Sequence, residues 1–338
     1  MAETLPTSWL VVRLSALGDA VLTTGLLDLL HRERGWTFSV LTKAANAPVF
    51  ANHPAVEEVT SPGPEDLRAT GWPRYAAGLA RRLAGRGLLD LHGTLRSRLL
   101  GLLWRGPVLR SPKFALERRL LAWLGPQRAP EATARLAALN VPQRYSLAVF
   151  PEARAKADLR PRLFPAPDEL AAARDLLAGT GLDPDCRPLA LHPYATHPGK
   201  EWPAGHWQTL AGLLDQAGIP WFVLGKSDAR PPLPGPRDLS NRTGLRLAAA
   251  LLALSRGLVT GDSGPMHLGT AVGAPVVALF GPTTVHWGFF PSGQRDLVLE
   301  PALPCRPCSL HGGRGCGKPD PCMASIRPDE VLAALAGL

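Results

Sequence analysis

Two rhythms of apolar residues alternate along this chain. Short apolar runs bounded by Gly, Pro or polar residues are followed by stretches in which apolar side chains return every three or four positions. The first pattern fits a buried strand and the second an amphipathic helix. Trp9–Leu14 reads as a strand, and Asp19–His31 as a helix carrying Val21, Leu22, Leu26, Leu29 and Leu30. Strands are expected at Phe38–Leu41, Val56–Thr60, Leu88–Leu91 and Val108–Leu109, with helices at Tyr75–Ala84 and Leu95–Trp104. Residues 125–165 are rich in Pro, Arg and Ala with weak periodicity, which suits a domain junction. After a helix at Pro167–Leu177 the alternation resumes. Strands Leu189–His192, Trp221–Leu224, Leu258–Thr260 and Val276–Phe280 are interleaved with helices Trp207–Gln216, Leu245–Ser255 and Met266–Val272. A helix at Asp329–Leu338 closes the chain.

Strand–helix alternation of this kind predicts an α/β fold with parallel sheets. At 338 residues the chain suits two domains. The expected division is 1–165 and 166–338, two facing Rossmann-like domains with a cleft between them, the last helix free to pack back on the first. Hydrophobic residues at 46% and charged residues at 19% describe a folded globular protein. No apolar run is long enough to span a membrane, and the N-terminus lacks the basic start and cleavage pattern of a signal peptide. A cytoplasmic location is therefore expected.

In open α/β sheets ligands sit outside the carboxyl ends of the strands. The loops there carry unusual chemistry in this chain: Ser15–Asp19, His192–Lys200, Gly225–Asp228, Gly261–His267 and Gly281–Thr283. At Gly261–His267 a strand stops, Ser263 or Gly264 can cap, and Pro265 opens a helix. Free N–H groups and the positive end of a helix dipole make such a start an anion site. Lys200 offers a mobile point charge for phosphate, and Thr196 a hydroxyl donor. Gly18 allows close approach of a ligand, while Asp19 either caps its helix or aims a carboxylate into the cleft. His267 reads equally as a packed histidine or a ligand contact.

Lys and Arg exceed Asp and Glu by 37 to 28, a net charge of +9. The excess favours nucleic acid, phosphorylated sugars or acidic lipid, or reflects simple Arg abundance. Arg96, Arg98, Arg105, Arg110, Lys113, Arg118 and Arg119 form a basic series in the first half. Cys305 and Cys308 have C-x-x-C spacing, but Cys316 and Cys322 have five residues between them, an incomplete zinc-ribbon match. Walker A, dinucleotide and nucleophile-elbow patterns are absent from the strand-to-helix turns. Gly312–Gly317 is glycine-rich, yet it follows no strand.

Several blocks in order resemble the heptosyltransferase family, glycosyltransferase family 9. They are R-L-S-A-L-G-D-A-V-L-T-T at Arg13–Thr24, D-L-H-G-T-L-R-S at Asp90–Ser97 and H-P-Y-A-T-H-P-G-K-E-W-P at His192–Pro203. G-D-S-G-P-M-H-L-G-T-A at Gly261–Ala271 and F-G-P-T at Phe280–Thr283 follow, then the cysteine-rich segment before Arg327-Pro328. The resemblance implies a GT-B architecture and inverting transfer of a sugar, typically heptose from an ADP-heptose donor, to lipopolysaccharide core. It makes Asp19 the general base and places Gly18, Thr196, Lys200, Asp262, Ser263, Gly264 and His267 around the donor. Arg96, Arg118 and Arg119 would face an anionic glycan or glycolipid acceptor, with peripheral contact at the inner membrane surface. No cofactor and no metal are expected. A GT-B transferase or epimerase using another nucleotide sugar shares the same phosphate site. A nucleic-acid binder rests on charge alone and lacks a recognisable binding module.

Overall fold

The structure, a computed structural model, describes residues 5–228, 232–303, 305–308, 312–313 and 321–338. The chain divides into two compact units, Met1–Lys113 with Val141–Phe164, and Phe114–Asn140 with Pro165–Leu338.

The first unit runs β1 (Ser8–Val12), α1 (Leu17–Arg34), β2 (Thr37–Leu41), β3 (Val56–Thr60), α2 (Trp72–Arg82), β4 (Gly87–Asp90), α3 (Leu95–Leu103) and β5 (Val108–Arg110). Its sheet is parallel throughout, in the order β3-β2-β1-β4-β5. Val12 lies opposite both Leu41 and Asp90, so the carboxyl ends of β1, β2 and β4 finish level and their loops gather on one edge. Every residue of α1 from Ala20 to Leu30 is buried, more than one amphipathic face requires. The reason lies in Val141–Phe164, which covers the side of α1 away from the sheet. A Cβ at Gly25 would come within 2.2 Å of the Leu159 carbonyl oxygen, so only glycine admits that crossing. The threonines on this covered side spend their hydroxyls locally. Thr23 Oγ1 donates to Asp19 O and Thr24 Oγ1 to Val21 O, and Thr24 Oγ1 accepts from the Arg162 N–H.

Between those pieces the chain leaves the first unit. Helices α4 (Ala115–Leu124) and α5 (Pro130–Ala137) pack with the second unit, where Leu121 and Leu136 enclose Trp287 beside Phe114 and Phe289. The chain then returns through α6 (Val141–Ser146). A single boundary at 165/166 therefore differs from the observed division. Three fully buried side chains hold residues 114–140 to the second core, and weak periodicity concealed the two helices.

The second unit continues with α7 (Pro167–Ala178), β6 (Leu189–His192), α8 (Ala204–Gln216), β7 (Trp221–Val223), α9 (Leu245–Ala253), β8 (Gly257–Gly261), α10 (Gly264–Val272), β9 (Val276–Leu279), β10 (Leu297–Leu299), α11 (Pro321–Ala324) and α12 (Pro328–Leu335). Its parallel sheet has the order β10-β9-β8-β6-β7. Glu169 at the start of α7 takes a two-pronged hydrogen bond from Arg246 on α9, at 2.7 and 2.6 Å. In the last helix, Val331 and Leu335 of α12 join the core formed with Trp207, Leu210 and Leu214 of α8. No helix among the described residues is long and apolar enough to cross a membrane.

Candidate functional site

In the first unit the chain leaves β1 at Arg13 and turns through Leu14–Ala16 into α1. The loop after β2 fixes that turn. Thr42 Oγ1 donates to Arg13 O at 2.7 Å and Asn46 Nδ2 to Leu14 O at 3.2 Å. Asp19, in the first turn of α1, folds back over it. Its Oδ2 accepts the Ala16 N–H at 3.1 Å, the reaching-back half of a capping box. Its Oδ1 accepts both Arg13 Nη2 at 2.5 Å and the Tyr145 hydroxyl at 3.0 Å. Arg13 also donates Nη1 to Leu91 O at 2.6 Å and lies 5.5 Å from the Tyr145 ring centroid.

The two carboxylate oxygens thus differ. Oδ1 carries a cation and a hydroxyl donor, whereas Oδ2 takes one backbone N–H and keeps acceptor capacity. Asp19 is both a helix cap and a nearly buried carboxylate, its side chain 15% exposed. Burial works against the charge on Arg13, but Tyr145, Asp19 and Asp90 outweigh it and hold that guanidinium above its ordinary pKa.

After β4, Asp90 Oδ1 accepts the N–H groups of His92 and Gly93 at 3.0 and 2.7 Å and shapes the loop. Burial, with Arg13 and Lys113 nearby, pushes the His92 pKa down to about 4, so its imidazole is neutral. Arg96, exposed on α3, donates to Leu67 O at 2.6 Å.

In the second unit β6 and β8 lie in register, His192 against Thr260. His192 Nδ1 is 3.0 Å from Thr260 Oγ1, which is 3.1 Å from Ser263 Oγ. Burial depresses the His192 pKa to about 4 and keeps the ring neutral. Ser263 occupies the N-cap of α10, but with its hydroxyl turned to Thr260 no side chain caps the helix. Gly225, at the end of β7, has φ +140°, and a Cβ there would meet Tyr194 at 2.5 Å and His192 at 2.9 Å.

Beside this helix start, Lys200 Nζ is 2.7 Å from Asp262 Oδ2. Thr283 Oγ1 donates to the same oxygen at 2.8 Å. Arg306 fixes the loop bearing Thr283. It donates to the carbonyls of Gly281, Phe280 and Thr283, the last at 2.7 Å, and pairs with Glu300. Gly312, with φ +77°, lies against the alkyl stem of Lys200, where a Cβ would come within 2.7 Å of Cε. Of the glycine pair that makes no dinucleotide loop, Gly312 packs against the lysine and Gly313 against the His197 ring.

Lys200, Asp262, Ser263 and Gly264 come together at one end of the second sheet, and His267, buried, follows in the first turns of α10. Thr196 is exposed in the loop before Lys200. Gly18 precedes Asp19 on α1 and so belongs to the first unit, whereas the other expected donor residues belong to the second. Arg118 and Arg119 belong to the N-terminal half by sequence position, but they ride on α4, which Leu121 ties to the second unit. Sequence reasoning left Arg13, Tyr145, Thr283 and Arg306 without roles. Arg13 and Thr283 stood inside quoted motifs, whereas Tyr145 lies 126 residues from Asp19 with no local signal. Among the described residues no three His, Cys, Asp or Glu side chains come together as a metal site, and Cys316 lies outside them.

These parallel-sheet units, with polar side chains at the strand ends, match solved glycosyltransferases over nearly their whole length. A family 9 glycosyl transferase from Veillonella parvula aligns with a TM-score of 0.73 at 17% identity, covering 98% of this chain and 97% of that one. The E. coli ADP-heptose LPS heptosyltransferase II aligns at 0.69 with 22% identity over 97% of each. The fold is that of a GT-B glycosyltransferase. The chain belongs to glycosyltransferase family 9 (heptosyltransferase), whose model matches residues 132–312. Lipopolysaccharide heptosyltransferase 1 of Pseudomonas aeruginosa is 26% identical over 321 residues, 88% of this chain and 85% of that protein. Lipooligosaccharide heptosyltransferase 2 of Haemophilus ducreyi is 31% identical over 214 residues, 57% of this chain and 61% of that protein.

Proposed function

We propose that this glycosyltransferase moves a heptose from ADP-heptose to a lipopolysaccharide-core acceptor, with inversion and without a metal ion. The observation that carries the reading is Lys200 held at the start of α10, whose N-cap hydroxyl is turned away. As the glycosidic bond breaks, negative charge gathers on the leaving diphosphate. Lys200 and the N–H groups opening α10 supply positive charge there. Ser263, Gly264 and His267 line the nucleotide-sugar, and Asp262 reaches the sugar or its phosphate through Lys200. Thr196 adds a hydroxyl donor from its exposed loop.

Asp19 acts as general base. Oδ2 accepts the proton of the acceptor hydroxyl while Arg13 and Tyr145 anchor Oδ1. The freed oxygen attacks the anomeric carbon from the face opposite the diphosphate, one bond forming as the other breaks, which inverts the centre. Gly18 gives the donor close access beside this carboxylate. Arg96, Arg118 and Arg119 bind the anionic acceptor, whose lipid anchor brings the enzyme to the inner membrane surface.

Calorimetric titration with ADP, UDP and GDP, followed by transfer from ADP-heptose in the presence of a chelator, tests this. ADP binds preferentially, transfer survives chelation, and NMR of the product shows the inverted anomer. Equal or tighter binding of UDP would move the enzyme to another nucleotide sugar.

A further inference from the structure

We infer that the outer face of α3 is a docking surface for an anionic phospholipid bilayer. The inner stripe of this helix is conventional: Ser97 and Leu100 are buried, and Trp104 follows them underneath. The opposite stripe, which a surface helix normally makes polar, carries leucine. Leu95 is 85% exposed and Leu102 80%, seven positions apart and hence on one face, with exposed Arg98 between them. Leu103 flanks that row and Arg105 stands just past its end, both exposed.

The charge around the leucines has one sign. From Leu91 to Leu116 the chain has no Asp or Glu, while Arg96, Arg98, Arg105, Arg110 and Lys113 are all cationic. Leucines set among cations match the apolar-and-basic chemistry of interfacial helices, whose side chains enter the headgroup boundary while arginines meet anionic lipid. A second protein fits less well. The nine residues of α3 span roughly 13 Å, and one helical row is far smaller than the area that a stable protein interface buries.

This inference rests on the membrane-contact part of the proposed function and is independent of the donor. It is tested with the full chain and vesicles of phosphatidylcholine, with and without phosphatidylglycerol, containing no glycolipid. The wild type co-sediments with the anionic vesicles and is released by salt. Leu95→Ser/Leu102→Ser weakens binding about tenfold or more, and Arg98→Glu/Arg105→Glu abolishes the preference for anionic vesicles. Both variants retain wild-type ADP affinity and melting temperature. Vesicle binding unchanged in both variants, or no binding by the wild type, overturns the surface. So does light scattering that shows a wild-type dimer lost in the leucine variant. Failure of the wild type to bind ADP would instead strike the donor reading and leave the vesicle result standing.

Discussion

Lys200 and Asp262 are ion-paired at 2.7 Å, and the carboxylate oxygen that holds the ammonium also accepts the Thr283 hydroxyl. A diphosphate that engages Lys200 must therefore share it with Asp262 or take it over. Removing the lysine deletes a charge-assisted contact, so Lys200→Ala is expected to weaken ADP binding about tenfold or more. Asp262→Asn keeps a partner for Thr283 and lifts the competition for Lys200, so ADP affinity holds or rises. Calorimetry on both variants checks this. A tenfold loss in Asp262→Asn would show that the carboxylate acts by holding the lysine in place.

The unequal oxygens of Asp19 give a second expectation. Asp19→Asn removes the base, and transfer falls by about 10²-fold or more while ADP still binds. Tyr145→Phe removes one hydrogen bond from Oδ1, lowering kcat about tenfold with the donor KM unchanged. In an Asp19→Asn background the same Tyr145→Phe change should cost nothing further. Additive losses would separate Tyr145 from the carboxylate.

His192 makes stability depend on pH. Its pKa falls from 6.5 to about 4 on folding, because burial disfavours the charged ring. Between those values the unfolded chain binds the extra proton, so stability is complete above pH 6.5 and declines as pH falls toward 4. The loss from this one buried ring is on the order of 3 kcal/mol. Urea midpoints compared at neutral and mildly acid pH should drop less in His192→Asn than in the wild type. Parallel declines would place the acid sensitivity elsewhere.

Packing of α4 and α5 can be probed apart from catalysis. Leu136 is fully buried beside Trp287. Leu136→Ala is expected to destabilise by about 2–5 kcal/mol and to open residues 114–140 to protease before the rest of the second unit. Cleavage elsewhere first would argue that these helices are held by other contacts.

Much of this architecture was legible because strands buried on both faces are continuous apolar runs. Leu189–His192 is such a strand with the bounds that its composition implies, whereas Val56–Thr60 keeps its expected bounds as a half-exposed edge strand. Helix starts lie two or three residues ahead of those that periodicity implies where capping outweighs it, as at Leu17, two residues before Asp19. The α4–α5 pair escaped because its apolar residues surround the helix while only Leu121 and Leu136 among its leucines are fully buried. Within the site, local sequence showed which loops carry charge but not which charges meet. Lys200 and Asp262 are 62 residues apart, and Ser263 looked like a cap because nothing nearby announced Thr260 as the better partner of its hydroxyl. Such pairings are set by strand register, which exists only once the sheet has formed.

The excursion of residues 114–140 also governs how this enzyme can be divided. The chain passes from one unit to the other at Lys113/Phe114, Asn140/Val141 and Phe164/Pro165, so both units are discontinuous in sequence. A fragment cut at 165 would strip Trp287 of Leu121 and Leu136 and present a bare aromatic surface to water. An isolated second unit needs residues 114–140 joined ahead of Pro165. Built that way, it keeps Lys200, Asp262 and the start of α10 on an intact core, separate from the chain that carries Asp19.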